Sequence, residues 1–134
     1  MQDAGRCVSE LSHVELGVLG EHVCEEHLVA RGYELLARRF SLGGCEADLV
    51  MRSPTGEHVL VEVKTRRGEG TPYSWPELRV DAAKRERYRK LSRMYLAQFP
   101  EAGSVHFDVA GVSIVGEHTA QLRYCRNVEL GDGL

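Results

Sequence analysis

The chain has 134 residues, 43% of them apolar and 28% charged, which leaves room for one real core and excludes the disordered, collagen-like and membrane-spanning classes. Its four cysteines, Cys7, Cys24, Cys45 and Cys125, form no Cys-x-x-Cys pair, the first ten residues are polar, and no apolar run of about 18 residues occurs, so a single cytoplasmic domain with free thiols and no structural zinc is expected over residues 1–134, with its core over about 12–128. The net charge of −3 is unevenly spread: residues 1–34 carry seven acidic and two basic side chains, while residues 79–93 carry seven basic and two acidic ones, which fits either a phosphate-binding stripe or a solvated helix face.

A first helix is predicted over residues 12–31, stopped by Gly32, a residue type suited to the left-handed position that ends helices. Gly17, Gly20, Cys24 and Leu28 share one stripe of this helix with Glu21 at its margin. Two glycines inside a helix are best explained by close packing on a sheet, which would bring Glu21 toward that sheet. Three strands are expected next, near 33–40, 46–52 and 58–65, the last two joined through the Ser53-Pro54-Thr55-Gly56 turn. Asp81 reads as the N-cap of a second helix ending before Pro100, because Tyr88, Leu91, Tyr95 and Phe99 recur at helical spacing. Two more strands, near 105–115 and 119–128, turn at Gly116, and the order becomes α-β-β-β-α-β-β.

The hairpin over 46–65 holds the chemistry. With its turn centred near residue 55, residues whose numbers sum to about 110 face one another, so Asp48 is expected opposite Glu62 and Glu46 opposite Lys64. Alternation puts these four on one face and Ala47, Leu49, Met51, Val59, Val61 and Val63 on the other, the core. Two carboxylates about 5 Å apart repel without a counter-ion. A hard divalent ion, Mg²⁺ or Mn²⁺, accepts such oxygens together with a backbone carbonyl, and that of Val63 is the candidate. Lys64 would then stand beside the ion, a combination suited to phosphodiester hydrolysis. The same pattern also fits an exposed strand pair with a Glu46–Lys64 surface ion pair.

Asp48, followed after thirteen residues by Glu62-Val63-Lys64 within this element order, resembles the PD-(D/E)XK nuclease superfamily, whose α/β, restriction-endonuclease-like fold is a mixed sheet flanked by helices. Closer is the similarity to the YraN-like family of small bacterial proteins, related to archaeal Holliday-junction resolvases. It rests on Gly17-Val18-Leu19-Gly20-Glu21, Gly32-Tyr33, Glu46-Ala47-Asp48-Leu49-Val50, Val61-Glu62-Val63-Lys64-Thr65-Arg66, Val80 with Lys84, and Phe107-Asp108-Val109. Cys45 and His106 depart from that pattern, standing where a glycine and an arginine are usual, and neither departure removes a ligand. The resemblance implies a Mg²⁺- or Mn²⁺-dependent nuclease with Asp48 and Glu62 as ligands, Lys64 stabilising the transition state, and Glu21 and Glu46 as supplementary members.

On the second helix Lys84 is expected to point toward the sheet and reach a phosphate, while Arg85, Arg89, Lys90 and Arg93 point outward. With Arg66 and Arg67 these would track a nucleic-acid backbone, DNA in the leading reading, branched or single-stranded. Tyr73, Trp75 and Pro76 read as a packed loop anchor, and Asp108 as a buried, hydrogen-bonded carboxylate. A non-catalytic nucleic-acid-binding or protein-interaction module on the same scaffold, an acidic first helix that docks a protein, and a homodimer all remain compatible with the sequence.

Overall fold

The computed structural model describes residues 7–68, 72 and 75–126. Tyr73 and the expected end of the last strand, Asn127 and Val128, lie outside these. Ser12 caps helix α1 (His13–Val29): its Oγ accepts from the Glu15 amide at 3.1 Å while Glu15 Oε1 accepts from the Ser12 amide at 2.8 Å, a reciprocal pair that satisfies two donors of the first turn. The helix stops two residues earlier than the expected Arg31. Gly32 sits at φ 93°, and the Tyr33 amide returns to the Leu28 carbonyl at 3.1 Å.

Strands β1 (Glu34–Leu42) and β2 (Cys45–Arg52) form a hairpin closed by Gly43-Gly44, both at positive φ, as a tight primed turn requires. β3 (His58–Arg67) runs antiparallel to β2. Helix α2 (Ala82–Gln98) then crosses to β4 (Val105–Ile114), which pairs with β3 in parallel, and β5 (Ala120–Cys125) closes the sheet antiparallel to β4. The sheet order is β1-β2-β3-β4-β5. Asp81 caps α2 as expected, its carboxylate accepting from the Lys84 amide at 2.8 Å. The α/β class and the α-β-β-β-α-β-β order are therefore those read from the sequence.

One expectation fails: the hairpin does not bury a single face. Leu49, Met51, Val59, Val61 and Val63 pack under α1 with Leu16, Cys24 and Leu28. Val50 and Leu60 are equally buried on the other side, under α2 with Tyr88, Leu91, Tyr95 and Phe107. A strand covered by a helix on each face buries both sets of side chains, which the continuous run Val59-Leu60-Val61 reflects. Ala47 belongs to the α2 side, not with Leu49 and Met51, so β2 changes phase between them. Arg38 faces Leu49 and Phe40 faces Ala47 across the β1–β2 ladder, which sets Arg39 opposite Asp48. Arg39 has a left-handed backbone, φ 50°, and both strands shift together at this level.

Cys24 and Cys45 are buried and Cys7 is exposed; burial pushes the Cys24 thiol up to about 12. Native alkylation with iodoacetamide is expected to modify Cys7 first, Cys125 more slowly, and Cys24 and Cys45 only after unfolding, as peptide mass mapping over a time course would read. Equal labelling of Cys24 and Cys7 would contradict the seating of α1 on the sheet.

Candidate active site at the splayed end of the central hairpin

The β2–β3 ladder has the expected sum of 110, from Arg52↔His58 to Leu49↔Val61, and stops there. Beyond it the strands part. The Val63 amide donates to Asp48 Oδ2 at 2.7 Å, so a side chain takes the place of a backbone acceptor and keeps a buried N–H satisfied. Asp48 and Glu62 thus stand near each other across an opening in the sheet and not as a ladder pair.

Asp48 is half-buried. Burial raises its carboxyl above the ordinary range, the Val63 amide and Lys64 oppose this, and the charges of Glu62 and Glu46 add to it. Glu21, on α1, is raised likewise, first by burial and then by Asp48, while Arg39 pulls it down from 3.5 Å. The helix therefore brings Glu21 toward Asp48 as expected. Gly20 explains how: an added Cβ there would lie 1.8 Å from Thr65 Oγ1, so α1 rests directly on β3. Gly17 does not share that role, because nothing lies within 4 Å of the same point; its position is turned away from the close approach.

Glu62 projects to the α2 side, with only 13% of its side chain exposed. Its Oε2 accepts from the Tyr88 hydroxyl at 2.6 Å and lies 4.0 Å from Lys64 Nζ, while Arg87 Nη2 lies 3.8 Å from Oε1. Lys64 thus pairs with Glu62 and not with Glu46, since the parting strands take Glu46, an exposed residue opposite Ser41, away from β3. Tyr88, a core position by periodicity, and Arg87 are site residues that the sequence reading missed. Proximity of residue 88 to residue 62 comes from the crossover between β3 and β4, which helical spacing alone does not reveal.

The basic set is divided. Arg66 and Arg93 are exposed, and the guanidinium of Arg66 lies 4.9 Å over the buried Trp75, which is the loop anchor it was expected to be. Lys84 turns back to the Arg79 carbonyl at 3.3 Å, so Arg87 and Tyr88 are what α2 presents to Glu62. Arg85 and Arg89 are half-buried and do not point outward: Arg85 reaches the Val80 carbonyl at 3.4 Å, and Arg89 pairs with Glu86 at 2.6 Å with 17% of its side chain exposed. Both stand on the flank of α2, and the solvent-facing cations of that helix include Lys90 and Arg93. Asp108 is 3% exposed and accepts from the Tyr124 hydroxyl at 2.6 Å, the buried structural role expected of it.

Among the described residues, no three Asp, Glu, His or Cys side chains gather tightly enough to form an all-protein metal cage. The donor set here is the carboxylates of Asp48 and Glu62 beside Lys64. Hard oxygen donors of this kind suit an ion that retains several waters.

Residues 20–112 match the model of the uncharacterised protein family UPF0102. A UPF0102 protein of Clavibacter michiganensis is 42% identical over 73% of this chain and 81% of its own length. One of Mycolicibacterium smegmatis is 36% identical over 87% and 90%, and one of Symbiobacterium thermophilum is 40% identical over 72% and 80%. Among solved structures, Pyrococcus furiosus SfsA in complex with Ca²⁺ is similar at 16% identity and a TM-score of 0.39, over 83% of this chain and 62% of that one. No helix among the described residues is long and apolar enough to cross a membrane.

Proposed function

The chain belongs to the UPF0102 family, and from that premise we propose that it is a metal-dependent nuclease-type domain that hydrolyses phosphodiester bonds in DNA, branched or single-stranded. The observation that carries this reading is the parting of β2 and β3 at Asp48. It leaves one oxygen of Asp48 tied to the Val63 amide and sets Glu62 across the gap, with Lys64, two residues on along β3, 4.0 Å from Glu62.

The donor set fits Mg²⁺ or Mn²⁺. Burial and the nearby charges of Glu62 and Glu46 disfavour the charged form of Asp48, which is the condition a bound cation relieves. Asp48 and Glu62 would hold the ion, with the Val63 carbonyl as the candidate backbone donor. Such an ion, when bound, supplies a polarised phosphate and a water of lowered pKa. The remaining roles belong to the chain itself. Lys64 places a positive charge where the attacked phosphate gathers negative charge. Glu21, held by Arg39, stands on α1 close enough for the charge of Asp48 to raise its carboxyl, and Glu46 adds negative charge at the exposed rim. Exposed Arg66, Lys90 and Arg93 give a nucleic-acid strand a cationic track.

The test is cleavage of a labelled panel of single-stranded, duplex and four-way-junction DNA, with Mn²⁺ or with EDTA, by the intact protein and by Lys64→Ala. Cutting that requires Mn²⁺ and falls about 100-fold or more in the variant is expected. DNA binding that weakens with salt, with no cutting of any substrate, would replace this reading with that of a non-catalytic binding module.

A further inference from the structure

Tyr88 is 2% exposed and stacks on Phe107, ring centroids 3.8 Å apart and planes 13° from parallel. A phenylalanine would fill that volume and make the same stack, so packing accounts for the ring but not for the hydroxyl. The hydroxyl donates to Glu62 Oε2 at 2.6 Å. Arg87 lies over the Tyr88 ring at 5.6 Å and extends to Glu62 Oε1 at 3.8 Å, so one turn of α2 addresses both oxygens of this carboxylate.

Asp48 is treated in the same way, with Oδ2 held by the Val63 amide at 2.7 Å. Each of the two acidic side chains thus has one oxygen fixed by a short hydrogen bond from a rigid, buried part of the fold. A carboxylate held at one oxygen loses its rotational freedom about the terminal bond, and the other oxygen is aimed. Ligating carboxylates are commonly oriented by such outer partners, whose removal weakens metal binding about 10–100-fold.

We propose that Tyr88 is a positioning residue: its hydroxyl holds Glu62 Oε2 and leaves Oε1 for the divalent ion that Glu62 would hold together with Asp48. The inference rests on the nuclease reading above. It assigns Arg87 a second part, since its guanidinium occupies the neighbourhood of Oε1 and must yield to the ion.

The experiment measures Mn²⁺ affinity directly, from the free Mn²⁺ signal in electron paramagnetic resonance, for the full chain, Tyr88→Phe and Phe107→Leu, alongside kcat and KM on whichever DNA the protein cuts. Tyr88→Phe keeps the stack and loses only the hydroxyl. Its Kd for Mn²⁺ is expected to rise about 10-fold or more, with kcat reduced, KM for DNA unchanged and thermal unfolding close to that of the parent. Phe107→Leu disturbs the stack but keeps the hydroxyl, and its Kd is expected to stay near the parent value. Unchanged Mn²⁺ affinity in Tyr88→Phe, or equal losses in both variants, overturns the positioning role and leaves the nuclease reading standing. A parent protein that binds no Mn²⁺ and cuts no DNA overturns the nuclease reading, and this inference with it.

Discussion

Asp48→Asn is expected to melt about 2–5 °C higher than the parent protein while losing metal-dependent cleavage by about 100-fold or more. The two effects have one cause. Asn keeps an oxygen that can accept from the Val63 amide, so the buried N–H stays satisfied and the opening between β2 and β3 keeps its shape. The substitution removes a half-buried charge disfavoured first by burial and then by Glu62 and Glu46, with Glu21 close by on α1. Relief of such like-charge crowding is worth up to about 1 kcal/mol. The same change takes away the anionic oxygen a divalent ion needs. Differential scanning fluorimetry and the Mn²⁺-dependent cleavage assay read the two arms. A variant that melts lower would mean that the charge is compensated in the fold, and one that cuts normally would remove Asp48 from the site. Added Mn²⁺ should raise the melting temperature of the parent protein and leave that of Asp48→Asn unchanged, because only a folded state with an intact site gains from the ion.

Much of this arrangement is legible in the sequence because its determinants are local. Ser12 and Asp81 cap their helices through hydrogen bonds spanning three residues, Gly32 ends α1 by its own backbone freedom, and the register of β2 on β3 follows from the turn between them. The element order and the convergence of Asp48, Glu62 and Lys64 follow from these. What stays hidden depends on contacts distant in sequence. The parting of the strands at Asp48 requires that its side chain outcompete a backbone acceptor for the Val63 amide. Arg39 adopts a left-handed backbone across from Asp48, although arginine has no local preference for it. Tyr88 meets Glu62 only because α2 returns over the sheet before β4. The exposed or buried state of Arg85 and Arg89 is set by the exact roll of α2, and a basic run reports charge without reporting that roll.

Gly20→Ala tests how closely α1 must approach the sheet. In an isolated helix this change stabilises by about 1 kcal/mol. Here the added Cβ would stand 1.8 Å from Thr65 Oγ1, 2.7 Å from Cγ2 and 2.8 Å from Cβ. Rotation of the threonine moves the first two atoms but not the third, so the helix or the strand has to shift. Overpacking of this kind costs about 1–3 kcal/mol, and contact with a strand buried at the centre of the sheet belongs at the upper end of that range. A net loss of about 1–2 kcal/mol is expected once the helix propensity is returned, read as a lower urea midpoint at unchanged slope. Thr65 Oγ1 has no hydrogen-bond partner among the described residues. Thr65→Ala therefore sacrifices no hydrogen bond, and combined with Gly20→Ala it should recover part of the loss. The two changes then couple instead of adding. The same shift moves Glu21, the next residue of α1, relative to Asp48, so cleavage should fall in Gly20→Ala even at temperatures where the variant is fully folded. A variant as stable and as active as the parent would show that α1 does not rest on Thr65, and would take Glu21 out of the electrostatics of the site.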